Sequence, residues 1–217
     1  FKTHRYKPRF TPDIVFASAA YSTFFGLQAT GLLAFSDMMG NHQIYLGLDI
    51  YSSLDNSNVN LLYLYLPRRT DLGLGVHHNV YFFAVRDLST YPDGSYIYPD
   101  YYHYFRDRNY GLNLFSSYPI SRYTRLDGTL DLMAIDRDNY NLLTDKYDRE
   151  DKIRVLLPGL SYVHDTILWG SVGPVNGMRM RLSAYFSPNL EDYINIPGKS
   201  GWGLDFQAVT ADYRHYL

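Results

Sequence analysis

Residues 42–51 alternate strictly between two characters, and this constrains the chain more than any other feature. Ile44, Leu46, Leu48 and Ile50 take one side of an extended strand, and Gln43, Tyr45, Gly47 and Asp49 take the other, because successive strand side chains point to opposite faces. The pattern returns further along. Leu72, Leu74, Val76, Val80 and Phe82 oppose Asp71, Gly73, Gly75, His77 and Asn79. Met178, Met180, Leu182, Ala184 and Phe186 oppose Arg179, Arg181, Ser183 and Tyr185. Trp202, Leu204, Phe206 and Ala208 oppose Gly203, Asp205 and Gln207. One face is aliphatic or aromatic; the other carries charge, amide, glycine and tyrosine. Segments of about ten residues with this period characterise membrane-spanning β-barrel strands. A tyrosine-rich soluble sandwich is the alternative.

Composition narrows the choice. The chain has 20 Lys+Arg against 22 Asp+Glu, which argues against a nucleic-acid binder, since such a protein needs a basic surface. It has no cysteine, so disulfides, thiolate metal sites and cysteine nucleophiles are excluded. It has 23 Tyr and 12 Phe but only 2 Trp. A barrel uses so many tyrosines in girdles at the membrane interfaces and along a wet lumen. No apolar run is long enough for a membrane helix: the closest, Ile14 to Leu33, holds Ser18, Ser22, Thr23, Gly26 and Gln28. The sequence starts at Phe1 without an initiator Met or a signal segment, so a mature chain or a fragment is expected.

A basic arm with two prolines occupies residues 1–12, and one barrel domain follows over 13–217. Alternation and turn residues predict strands near 13–21, 24–35, 42–52, 58–66, 70–86, 108–118, 122–135, 152–165, 177–187 and 202–215. No helical stripe is present. Ser36–Asn41, Pro67–Arg69 and Pro119–Ser121 are short connections; Leu88–Arg106, Asp136–Asp151 and Pro188–Gly201 are long ones. The short ones fall at even and the long ones at odd positions, as in barrels with short periplasmic turns and long outer loops. Connections one and three are also short, and Thr166–Asn176 should then be periplasmic. Pro158 interrupts a strong strand pattern, which predicts a bulge or an edge position there.

The segment from Leu160 to Arg179 ends a strand at Asp165 and Thr166, turns through Pro174-Val-Asn-Gly177, and resumes an amphipathic strand. It resembles a recurrent pattern of the bacterial surface-antigen superfamily, which contains BamA- and TamA-like barrels. Gly31 to His42 resembles the strand-turn-strand opening of barrels that follow TolB-like propeller domains. Together these motifs cover about a quarter of the chain. The resemblance implies a barrel acting in protein insertion or translocation, or anchoring a periplasmic domain. The family's Arg-Gly-Phe/Tyr motif is missing, since no Arg-Gly dipeptide occurs. The resemblance implies a larger barrel, so this chain is expected to be an N-terminal piece of one.

Candidate chemistry is sparse. His77 and His78 are adjacent on a strand and face opposite ways, and His42, His103, His164 and His215 lack ligand spacing. A serine hydrolase would need a serine–histidine pair, such as Ser52 or Ser161 with His42 or His164. Asp127 and Asp131 share a face with Arg125, but carboxylates four apart on a strand sit about 13 Å apart, too far for a retaining glycosidase. Arg179 and Arg181 are expected to pair with Asp127, Asp131 or Asp205, satisfying lumen charges or setting ion preference. Residues 136–139 and 145–151 only loosely resemble a calcium loop, with the central glycine missing. The tyrosine cluster from Tyr91 to Phe105 reads equally as a binding surface or a cap.

The sequence therefore predicts an all-β protein: an antiparallel transmembrane β-barrel of about ten strands, in a bacterial outer membrane. Ile44, Leu46, Leu48, Leu72, Leu74, Val76, Leu182 and Phe206 are the expected lipid-facing residues. Asp49, Asp71, Arg125, Asp127, Asp131, Arg179, Arg181 and Asp205 are the expected lumen-facing charges. Asp165, Thr166, Pro174 and Gly177 form the family-motif turn. No catalytic residue, metal or cofactor is expected. Outer-membrane lipid and other envelope proteins are the expected partners, and nucleic acid is not. A passive porin-like channel and an outer-membrane lipid hydrolase are the alternatives.

Overall fold

The computed structural model describes residues 6–23, 26–51, 53–87, 101–141, 146–189, 201–202 and 206–216. The strands are β1 (Phe10–Ser22), β2 (Gly26–Asp37), β3 (His42–Tyr51), β4 (Ser53–Tyr65), β5 (Asp71–Asp87), β6 (Tyr101–Pro119), β7 (Thr124–Asn141), β8 (Lys146–Asp165), β9 (Leu168–Trp169), β10 (Pro174–Ser187), β11 (Gly201–Trp202) and β12 (Phe206–Tyr216). No helix occurs among the described residues. The long strands form one antiparallel meander in the order β1-β2-β3-β4-β5-β6-β7-β8-β10-β12. Two short strands lie beside it: β9 pairs with β10, and β11 runs parallel to β8. β1 and β12 are the two ends, and they do not pair with each other among the described residues, so the sheet is open.

The backbones of the strands approach only those of their sheet neighbours, and no second layer covers either face among the described residues; long side chains such as Arg106 reach past a neighbour, to Asn56 on β4 and Tyr147 on β8. Residues opposite one another across antiparallel strands share a face, so the register sorts every position. One face carries rows such as Val76–Leu112–Leu132–Leu156. The other carries rows such as Gly73–Phe115–Thr129–Gly159–Tyr185. The apolar face is the open one: Leu72 is 45% exposed, Val76 46% and Leu182 48%. On the glycine-bearing face Ala34, Val155 and Val163 are at most 4% exposed. Aromatic rings lying across glycines shield the glycine-bearing face, as at Gly73 under Phe115 and Gly159 under Tyr185.

The rim turns are built locally. Asp37 closes the β2–β3 turn: its carbonyl accepts from Gly40 N at 2.9 Å, and its carboxylate accepts from His42 N at 2.9 Å. The Tyr6 hydroxyl donates to the same carboxylate at 2.5 Å and ties the N-terminal arm to this rim. That hydrogen bond holds the Tyr6 hydroxyl above the ordinary tyrosine range. Arg69, in the β4–β5 turn, donates to the carbonyls of Pro119 and Ile120 and joins two neighbouring turns.

Several expectations need correction. β1 starts at Phe10, inside the expected arm, because Phe10, Thr11 and Pro12 pair with Asp37, Ser36 and Phe35 before a register shift at Asp13. As an edge strand, β1 tolerates Pro12. Asp136–Asp151 is not a long loop: β7 runs to Asn141 and β8 starts at Lys146. Likewise Tyr101–Arg106 belongs to β6. Of the other loop residues, 88–100, 142–145 and 190–200 lie outside the described ones. Of the two alternatives for Pro158, the edge position holds and the bulge does not. The ladder to β7 runs through Leu130↔Pro158 without a shift, whereas the ladder to β10 stops at Gly159. The missing donor falls where pairing ends, so it breaks no bond.

The hairpin extensions carry their own signal. Arg106-Asp107-Arg108 meets Asp138-Arg137-Asp136 residue for residue across β6 and β7. Arg137 holds Asp107 through two hydrogen bonds of 2.8 Å. Replacing Arg137 with Asp should destabilise the sheet by about 1 kcal/mol through like charges placed opposite one another. Adding Asp107→Arg should restore most of it, as measured by denaturant unfolding.

Candidate functional site

The glycine-bearing face gathers the polar chemistry of the chain. Asp71, Ser117, Asp127, Ser161, Ser183 and Thr210 form one row across six strands. Within it the Ser117 hydroxyl donates to Asp127 at 2.7 Å, and Arg125 Nε donates to both Asp127 oxygens at 3.1 and 3.2 Å. The Ser161 hydroxyl donates to Ser183 Oγ at 2.8 Å, and Arg181 Nε donates to the same oxygen at 3.2 Å. Ser161 and Ser183 are 4% and 1% exposed, so the Ser161 hydroxyl depends on Ser183 instead of on water, and Ser183 Oγ is shared between Ser161 and Arg181.

The next row is space-filling. A side chain at Gly73 would lie 2.3 Å from a Phe115 ring atom, and one at Gly159 would lie 2.7 Å from the Tyr185 ring. These glycines let aromatic rings lie across the sheet, an arrangement a curved sheet needs on its crowded side. Beyond them, Asn113 donates to Asp131. Asn60 and Asn79 exchange amide hydrogen bonds of 3.0 and 3.2 Å. Thr30 donates to Asp49 at 2.7 Å. Asp49, Asp127 and Asp131 on this face therefore have donors beside them, and the cations are interspersed.

The register puts Asp49, Asp71, Arg125, Asp127, Asp131, Arg179 and Arg181 on this one face. Asp205 lies outside the described residues. The expected pairing of Arg179 with Asp127 or Asp131 does not form. Its cross-strand neighbour is Asp165, at 3.5 Å. Asp127 and Asp131 are engaged by neighbours on β6 and β7. On the apolar face, Ile44, Leu46, Leu48, Leu72, Leu74, Val76 and Leu182 share one side. Phe206 does not join them. It opposes Ser187, while Gln207 opposes Phe186, so β12 presents Val209, Ala211 and Tyr213 to the apolar side. The alternation read through residues 202–208 had the opposite phase, because β12 takes its register from β10 and starts only at Phe206.

The motif turn forms a connected unit. Thr166 N donates to the Met178 carbonyl at 2.8 Å, and Met178 N donates to Thr166 Oγ1 at 3.1 Å. Asp165 accepts from Ile167 N at 3.1 Å. Gly177 has φ +104, and a side chain there would meet the Thr166 carbonyl oxygen at 2.3 Å. Pro174 opens β10 opposite Trp169.

The serine–histidine pairs do not assemble. Ser161 bonds Ser183 on the glycine-bearing face, whereas His164 lies on the other face with Nδ1 3.0 Å from Thr124 Oγ1. His42 Nδ1 is 2.6 Å from the Tyr63 hydroxyl, and Ser52 lies outside the described residues. His77 and His78 face opposite sides, with His77 near Asn109 at 3.3 Å and His78 near the Ser57 carbonyl at 2.9 Å. Asp138, in the loosely calcium-like stretch, accepts from Arg106 and Arg108. Of the tyrosine cluster, Tyr91, Tyr96 and Tyr98 lie outside the described residues.

Sequence reasoning missed the Arg106, Arg108 and Asp138 group and the Arg137–Asp107 pair, because Arg106 and residues 136–138 fall in expected loops and the expected strand begins only at Arg108. The complementary Arg-Asp-Arg and Asp-Arg-Asp triplets were the available signal. Comparison with known families, characterised proteins and solved structures finds no match for this chain.

The buried serine pair yields a prediction. Ser183→Ala should cost about 1–3 kcal/mol by leaving the Ser161 hydroxyl unsatisfied, whereas the double change to alanine should cost less than the two single costs summed. Thermal unfolding of the two single variants and the double variant reads the coupling.

Proposed function

We propose that this chain is wall-forming β-structure of an outer-membrane barrel of the surface-antigen kind, acting in protein insertion or translocation or in anchoring a periplasmic domain. The observation that carries the reading is the inverted exposure of the sheet. Its leucine rows are the open ones, with Leu72, Val76 and Leu182 close to half exposed, while the serine and glycine rows on the opposite face are shielded. Water disfavours exposed apolar rows of this extent, whereas hydrocarbon favours them.

The aromatic placement agrees. On β6 the outward residues run Tyr118, Ser116, Leu114, Leu112 and Tyr110 before reaching Arg108. Tyr118 and Tyr110 stand eight positions apart, about 26 Å along the strand before tilt. Tyrosines at both ends of an apolar band are interfacial anchors. In lipid every backbone group must be paired, so the reading requires partner strands for the outer edges of β1 and β12. The motif turn from Asp165 to Gly177 supports the surface-antigen assignment. Pairing of β1 with β12 in the membrane would instead make the compensated charge rows the wall of a small channel.

The chain has no cysteine, so introduced cysteines report cleanly. Cysteine at Leu74 or Leu132 should resist a water-soluble maleimide in lipid vesicles and react after detergent extraction. Cysteine at Asp49 or Asp131 should show no such protection. Equal reactivity of all four in vesicles would reject the membrane reading. Leu74→Arg should lower folding stability in lipid by about 2–4 kcal/mol, measured by urea titration. Cysteine pairs placed across β1 and β12 should fail to cross-link; efficient cross-linking would favour the small channel.

A further inference from the structure

On β6, β7 and β8 the apolar rows of the outward face give way to a cluster of charge. Arg108, Asp136 and Lys152 form one cross-strand row, and Tyr110, Ala134 and Arg154 form the row between it and the leucines. Arg106 lies one outward position further, opposite Asp138. Four cations therefore stand against two carboxylates among the described residues of this cluster. Asp138 serves both arginines, at 2.7 Å from Arg106 and 3.0 Å from Arg108. Asp136 is engaged by the Tyr110 hydroxyl.

The two arginines differ. Arg106 is fully held: Nε and one terminal nitrogen reach Asp138, the other reaches Asn56 at 3.0 Å, and the guanidinium lies 4.0 Å over the Tyr147 ring. Arg108 shares that carboxylate, and its Nε is buried without a hydrogen-bond partner. An unpaired buried donor on a half-buried cation is costly. An anion accepting from Arg108 would satisfy it and offset the positive excess.

We propose that this cluster holds the phosphate of an anionic lipid whose acyl chains lie on the Leu112, Leu132 and Leu156 row. The spacing favours a lipid over a free ion. The charged row lies four positions beyond the leucine row, about 13 Å along the strands, with Tyr110 between them at the level of a glycerol backbone. Arginine matches phosphate through paired N–H donors, and lysine adds a point charge. Basic pockets at the hydrocarbon boundary recognise anionic headgroups by this chemistry. The proposal rests on the membrane reading above.

The full chain is reconstituted into phosphatidylcholine vesicles with trace spin-labelled phosphatidylglycerol or spin-labelled phosphatidylcholine, and the motionally restricted fraction of each probe is measured. Wild type should prefer phosphatidylglycerol. The Lys152→Gln/Arg154→Gln pair should reduce the preference by about fivefold for each neutralised cation. Arg108→Lys should reduce it too, because charge remains but the Nε donor is lost. The charge-keeping pair Lys152→Arg/Arg154→Lys should retain it, and so should Arg122→Gln at the opposite rim. Millimolar inorganic phosphate should leave the preference intact; competition by it would assign the site to a free anion and overturn the lipid. Insertion with equal retention of both probes overturns the site alone. Failure to float with vesicles of either composition overturns the membrane reading and the proposal with it.

Discussion

The backbone ladder is the constraint on which the rest of this protein depends. No second layer packs on the sheet among the described residues, so each interior strand is held by the two beside it. Register therefore decides everything at once: a slip of one residue would move a strand's entire apolar set to the glycine-bearing side. The devices that pin it are visible. Glycines fit under Phe115 and Tyr185, complementary charges match along β6 and β7, and a buried serine pair locks β8 to β10.

The same constraint explains how charge is managed. A curved single sheet has one crowded face, and polar side chains on it must satisfy one another. Arg125 and Ser117 share Asp127, and Arg179 turns to Asp165. The open face has no such network until β6–β8 pass the Tyr110 row, where cations collect in excess. An apolar band, a tyrosine boundary and a basic margin succeed one another along the strand as hydrocarbon, interface and headgroup succeed one another across a membrane.

The sequence was most readable where one property repeated with period two. β3, β5 and β10 kept their alternation in the structure, and the seven described charges expected on one face share it. It was least readable where polar composition resembled a loop. Arg106-Asp107-Arg108 and Asp136-Arg137-Asp138 are hydrophilic in isolation, and only their pairing makes them strand. Phe206 shows the same limit in another form: its local alternation is clear, yet its side is set by Ser187 on the neighbouring strand.

By itself the sequence determined that the chain is an all-β protein, which residues within most strands share a side, and that thiol chemistry has no place in it. Those follow from side-chain geometry within a few residues. The tertiary structure decided which cation meets which carboxylate, how far the hairpins extend, where Pro158 is tolerated, and that the aliphatic side is the exposed one. Each of these depends on a partner strand and its register, which no single segment encodes.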